Sequence, residues 1–210
     1  MMNSSTTVYL IDDEAAVRKA LARLVSAAGH GVHTFDSARA FLEHVRDDVR
    51  PACLVVDVQM PEVSGLELQR ELKNENSILP IIFISGRSDI PTSVHAMKSG
   101  ATDFLTKPVH DDDLLSAIER AHSYAVEARK EKVERDTVRA RIDGLTTRER
   151  EVMMRVVTGR LNKQIAGDLG TVEKTIKVHR ARVMTKMQVH SVAALVRAVE
   201  TAGVELPAAR

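Results

Sequence analysis

The chain has one cysteine in 210 residues, and that scarcity excludes an internal disulfide framework. It fits a reducing cytoplasm. No apolar run approaches the roughly 18 residues a helix needs to cross a bilayer, so no membrane span is expected. The stretch from Met1 to Thr7 has no basic segment ahead of an apolar one, so no signal peptide is expected either. Internal repeats and low-complexity stretches are lacking. What is present is a soluble globular composition, 44% hydrophobic and 28% charged. Cys53 opens an apolar run and reads as core packing.

The net charge of +1 conceals a division. Residues 1–124 carry 12 Lys/Arg against 18 Asp/Glu, residues 125–143 carry 6 against 5, and residues 144–210 carry 12 against 6. This predicts an acidic domain over 1–124, a charged linker over 125–143 and a basic domain over 144–210. The basic end is the part suited to a polyanion.

Through residue 124, apolar runs near 7–11, 32–35, 53–57, 80–84 and 102–105 alternate with helical patterns near 14–28, 37–46, 64–74 and 89–99, and a fifth helix starts at about 111. Unbroken apolar runs are typical of parallel strands covered on both faces. Five such units predict an α/β doubly wound five-stranded parallel sheet. The fifth helix meets no Gly or Pro before Gly144 and is expected to continue through much of the linker. Ile118, Ala121, Ala125 and Ala128 follow a heptad-like spacing that Lys132 and Arg135 break, so a dimeric coiled coil and a solvated single helix both remain open. Beyond Gly144 no convincing strand occurs. Helices are expected over about 148–158 with Thr147 as cap, over 162–169, over about 172–187, and from a Ser191 cap to about 202. Together they predict an all-α four-helix domain containing a helix-turn-helix.

Ligands of doubly wound folds bind beyond the carboxyl ends of the strands. Asp12 and Asp13, Asp57, Ser85 and Lys107 all follow predicted strands. Clustered carboxylates are costly unless a cation neutralises them. Phosphoryl transfer to a carboxylate needs an exposed nucleophile, a divalent cation and groups that hold the remaining oxygens. Asp57 can be the nucleophile, Asp12 and Asp13 can hold Mg2+, Lys107 supplies a charge and Ser85 a hydroxyl.

The segments Leu10-Ile11-Asp12-Asp13-Glu14, Val56-Asp57 through Ser64-Gly65, Ile84-Ser85-Gly86 and Gly100 through Lys107-Pro108 resemble the CheY-like receiver domain of bacterial response regulators. The resemblance covers residues 7–124. It implies phosphorylation of Asp57 by a sensor histidine kinase, with Mg2+ bound by Asp13, Asp57 and the backbone carbonyl of Gln59, and with Asp12 reaching the metal mainly through water. It also implies a switch in which Ser85 moves toward the phosphoryl group and Phe104 turns inward. A cis Lys107-Pro108 bond is expected from the same source.

The stretch 172–187 carries Lys174, Lys177, Arg180, Arg182 and Lys186. At 100° per residue, Lys174 and Lys177 lie broadly together. Ile176, His179, Val183 and Met187 form a separate stripe that can face a core, with His179 as a hydrogen-bonded structural histidine. A helix with one apolar and one basic stripe fits the DNA major groove. The segments Leu145 through Val152, Asn162 through Ala166, Leu169-Gly170 and Thr175 through Arg180 resemble the LuxR-type helix-turn-helix of NarL/FixJ response regulators. By position, Lys177 and Val178 are candidates for base contact, and Lys163, Thr175, Arg180 and Arg182 for backbone or mixed contact. The family usually caps the recognition helix with Ser where this chain has Val172, so Thr171 is expected to cap it, shifting its start by one residue.

The resemblance implies a DNA-binding, FixJ-like regulator of transcription with RNA polymerase as downstream partner and phosphorylation-dependent homodimerisation. An aspartyl phosphatase of the haloacid-dehalogenase type needs a second acid two residues after the nucleophile, and Gln59 stands there. A DNA-binding protein that keeps a receiver only for pairing is the other alternative, and the intact pocket argues against it.

Overall fold

The computed structural model describes residues 6–44, 51–86 and 90–204, and in it the apolar runs become five parallel strands. These are β1 (Thr7–Ile11), β2 (Gly31–Phe35), β3 (Ala52–Asp57), β4 (Ile81–Ser85) and β5 (Asp103–Thr106), in spatial order β2-β1-β3-β4-β5. Between them lie α1 (Ala15–Ala27), α2 (Ala38–His44), α3 (Gly65–Asn74) and α4 (Ile90–Lys98), and α5 (Asp111–Asp143) follows β5. The expected bounds hold within one or two residues. Residues 45, 46 and 89, included in two of the expected helices, lie outside the described residues. The Lys107-Pro108 bond is cis.

Each central strand carries an unbroken apolar run because it is covered twice. Ile11, Leu54, Val56 and Phe83 pack on one side with Phe41 of α2 and Leu68 of α3. Leu10, Val55, Ile82 and Ile84 pack on the other with Leu21 and Val25 of α1 and with Leu114 and Ile118 of α5. Neighbouring residues along a strand thus serve opposite faces, as the period of two requires. Cys53 is fully enclosed among the second set, and burial pushes its thiol up to about 12.

The chain divides into two compact units, Met1–Arg129 and Lys130–Arg210, with the division inside α5. This helix runs 33 residues without a break, since no Gly or Pro interrupts it before Gly144. Ile118, Ala121 and Ala125 are buried. The first two pack on the sheet, so that part of the heptad-like spacing records sheet packing and supplies no exposed coiled-coil seam.

The second unit adds α6 (Thr147–Val157), α7 (Asn162–Asp168), α8 (Glu173–Met187) and α9 (Val192–Thr201). Two caps differ from expectation. Thr146, not Thr147, caps α6, because only Thr146 has a glutamate three residues on: its hydroxyl accepts from the Glu149 amide at 3.3 Å and Glu149 accepts from the Thr146 amide at 2.9 Å. Val172 is the N-cap of α8 and makes no side-chain cap. Thr171 instead gives its amide to Ala166 O at 2.9 Å, closing the turn after α7, so the helix start does not shift. Ile176, Val183 and Met187 face the core as expected, but His179 is half-buried and its Nδ1 has no hydrogen-bond partner among the described residues.

Glu149 is buried, 3% exposed, and Lys186 Nζ lies 2.7 Å from it. That ammonium first, and the Thr146 amide next, hold the carboxyl down at about 2, against an ordinary 4.5. Its contribution to stability is therefore whole above pH 4.5 and lost as pH falls toward about 2. Glu149→Gln is expected to cost about 1–3 kcal/mol at pH 7, with the gap to wild type closing between pH 4.5 and about 2. Urea unfolding at a series of pH values measures it, and a gap independent of pH would contradict the charge assignment.

Candidate phosphoacceptor pocket and nucleic-acid interface

The sheet order places β1 beside β3, and their carboxyl ends deliver the acids to one spot. Carboxylate oxygens of Asp12, Asp13 and Asp57 all lie within 4.8 Å of one another. Asp12 is 1% exposed and Asp13 is exposed; Asp57, expected as an exposed nucleophile, is 5% exposed because it ends a central strand between β1 and β4. Tight turns hold both buried acids: Asp12 Oδ1 accepts from the Glu14 amide at 2.8 Å and Asp57 Oδ1 from the Gln59 amide at 2.9 Å. Lys107 Nζ, just past β5, reaches Asp57 Oδ2 at 2.5 Å, Asp12 Oδ2 at 2.9 Å and Glu14 at 3.5 Å.

Burial raises the Asp12 carboxyl above the usual range, against the pull of Lys107 and the Glu14 amide; the charge of Asp57 adds to the rise. Burial also disfavours the Lys107 ammonium, but its hydrogen bond to Asp57 and its ion pair with Asp12 outweigh it and its pKa is raised. Asp12 Oδ2 is buried and makes no hydrogen bond of good geometry, so its contact with Lys107 is an ion pair. A buried oxygen with an open lone pair, beside two further carboxylates, fits a hard divalent cation such as Mg2+.

Ser85 ends β4, is 2% exposed, and its carbonyl accepts from the Lys107 amide at 2.8 Å. Ser85, Asp13 and Gln59 line one cavity of about 650 Å³ with Met60, Pro61 and Leu66. Phe104 is half-buried with its ring 6.3 Å from that of Phe83. The pocket thus gathers Asp12, Asp13, Asp57, Gln59, Ser85 and Lys107, with Phe104 on β5 against the core.

Two supporting residues escaped the sequence reading. Arg18 Nη1 donates to the Asp12 carbonyl at 2.5 Å, pinning the loop after β1; a basic residue one helical turn past the acids was the available signal. Gly65 opens α3, where a Cβ would stand 2.5 Å from the Asp57 carbonyl and 3.1 Å from the Phe83 ring. A glycine at the first helical position was its signal, since glycine is a poor helix former.

On the basic side, Lys163 of α7 and Lys174, Lys177, Val178 and Arg182 of α8 are exposed, and Thr175 is half-buried. Lys177 pairs with Glu173 at 3.3 Å across the helix surface, a weak exposed contact. Arg180 is half-buried and donates to Asn162 Oδ1 at 3.0 Å, tying α8 to α7. Lys186 does not join the basic stripe: it is engaged by Glu149 and by Gly144 O at 3.2 Å.

Residues 8–119 match the response regulator receiver domain family, and residues 143–199 match the luxR family of bacterial regulatory proteins. Response regulator protein TmoT of Ectopseudomonas mendocina is 44% identical over 200 residues, covering 95% of this chain and 90% of TmoT. Transcriptional regulatory protein FixJ of Bradyrhizobium diazoefficiens is 43% identical over 202 residues, covering 96% and 98%. The solved structure of response regulator StyR aligns with a TM-score of 0.76 at 44% identity, covering 93% of this chain and 98% of StyR. A receiver followed by a LuxR-type DNA-binding domain defines a response regulator, a transcriptional regulator and not an enzyme. The chain belongs to the NarL/FixJ family of response regulators. A receiver implies a sensor kinase as partner, and the helix-turn-helix implies DNA.

Gly65→Ala is expected to push the Asp57 carbonyl out of place and slow phosphoryl labelling about tenfold or more. Initial rates with acetyl phosphate measure this, and a wild-type rate would show that the close approach does not matter.

Proposed function

We propose that Asp57 accepts a phosphoryl group from a sensor histidine kinase and that this controls promoter binding by α8. The observation that carries the reading is the position of Asp57: last residue of β3, with Oδ2 on Lys107 and its carboxylate beside those of Asp12 and Asp13. In the reaction a carboxylate oxygen of Asp57 attacks the phosphorus. The bond from phosphorus to the kinase imidazole breaks, and the imidazole nitrogen leaves with the electron pair. Lys107 holds charge against the phosphoryl oxygens, and the Ser85 hydroxyl donates to one of them.

Asp13, Asp57 and the Gln59 carbonyl are the proposed Mg2+ ligands, with Asp12 acting through water; the ion would offset the charge of the carboxylates and phosphoryl oxygens. Movement of Ser85 and an inward turn of Phe104 form the proposed switch. The output is a phosphorylation-dependent homodimer that binds double-stranded DNA in the cytoplasm and engages RNA polymerase. Lys177 and Val178 are proposed to meet base edges, with Lys163, Thr175 and Arg182 at the backbone. The Arg180 bond to Asn162 suits a residue that sets the angle of α8 while reaching a phosphate.

Asp57→Asn is expected to abolish labelling by acetyl phosphate plus Mg2+; labelling that persists would sink the assignment. Lys177→Ala gives up only a weak surface pair with Glu173, so the fold should be unaffected. Binding to a specific duplex should fall by about 1–3 kcal/mol. Titration across a salt series separates a lost base contact from a lost phosphate contact, and unchanged affinity at every salt concentration would place Lys177 off the DNA.

A further inference from the structure

The match to the luxR family begins at residue 143, yet the second unit begins before it. Val138 and Ile142, one turn apart on α5, are 6% and 1% exposed and belong to the same core as Ile176, Val183 and Leu195. From the same turns two guanidiniums reach helix ends. Arg139 Nε donates to Ala202 O at 2.8 Å, the C-cap of α9. Arg141 Nη1 donates to Met187 O at 3.3 Å, the last residue of α8. In return Lys186, in the last turn of α8, donates to Gly144 O at 3.2 Å, just past the end of α5.

The final carbonyls of a helix lack intrahelical partners, and cations are favoured there. The αL residue Gln188 and its neighbour Val189 direct their amides to Thr185 and Met184, so Arg141 serves the carbonyl of Met187. Two buried aliphatics and two directed guanidiniums fix α5 in both rotation and axial position against α8 and α9. A displacement of α5 is then delivered to the far end of the helix that carries Lys177 and Val178.

We propose that the last turns of α5 are a working part of the DNA-binding unit, and that Arg139 and Arg141 are positioning residues through which the state of the receiver reaches α8. This rests on the reading that phosphorylation of Asp57 controls DNA binding. No rearrangement of bonds is involved, only the placement of two helix ends.

The test uses the full chain carrying Arg139→Gln and Arg141→Gln, with Arg135→Gln on the exposed part of α5 as control. The probe is a duplex enriched from random DNA by wild-type protein treated with acetyl phosphate and Mg2+. The readout is the ratio of affinities with and without that treatment. Couplings of ordinary size give about 5- to 150-fold; the ratio should fall toward one in the double variant and stay at the wild-type value in the control. A double variant with the wild-type ratio overturns the proposal, as does an equal loss of affinity in both states, which marks a merely structural role. If wild type itself shows no enhancement, it is the phosphorylation reading that fails. Amide hydrogen exchange then tests the anchoring of α5 on α8 by itself: residues 184–189 must exchange faster in the double variant, and unchanged protection there refutes it.

Discussion

One ammonium makes the first unit's site possible. Two like charges within 4.8 Å of one another repel by roughly 3 kcal/mol or more at an effective dielectric of about 20, and three carboxylates converge here. Lys107 sits on two of them and neutralises one charge's worth. Burial, with the charge of Asp57 adding to it, leaves the Asp12 carboxyl raised, and a lone pair on its Oδ2 stays open. The pocket is thus built with a deficit of positive charge, and a divalent cation is the chemistry that fills it. The sheet order serves this arrangement, since only neighbouring β1 and β3 can bring Asp12, Asp13 and Asp57 so close.

The fold was legible because its signals are local and doubled. Each central strand carries apolar residues for both faces, so Val55-Val56 and Phe83-Ile84 read as runs, and each run ends in a site residue or just before one. The acids and Lys107 were legible for the same reason: position after a strand is enough to place them. Residues acting through backbone atoms were harder. Gly65 matters through the space its missing Cβ leaves, and Arg18 through a carbonyl that any residue at 12 would offer. The cap of α6 was misplaced by one because two threonines adjoin; the reciprocal bond to Glu149 singles out Thr146.

Charge patterning was the least dependable guide. Lys186 reads as one more cation on a basic helix, yet it turns toward a buried carboxylate. Arg139 and Arg141 looked like part of a solvated charge run, and both reach helix ends across 63 and 46 residues of sequence. Pairings between distant segments leave no period or motif, so a composition that reads as linker can serve as structure.

The lone cysteine has a practical consequence. Cys53 is fully enclosed between β1, β4 and their covering helices, and its thiol stays protonated at any ordinary pH. Thiol reagents attack through the thiolate, so the folded chain behaves toward them as though it held no cysteine. A cysteine introduced on α5 or α8 would then carry a spin label or fluorophore alone, and distances could be followed through a phosphorylation cycle without first removing the native thiol.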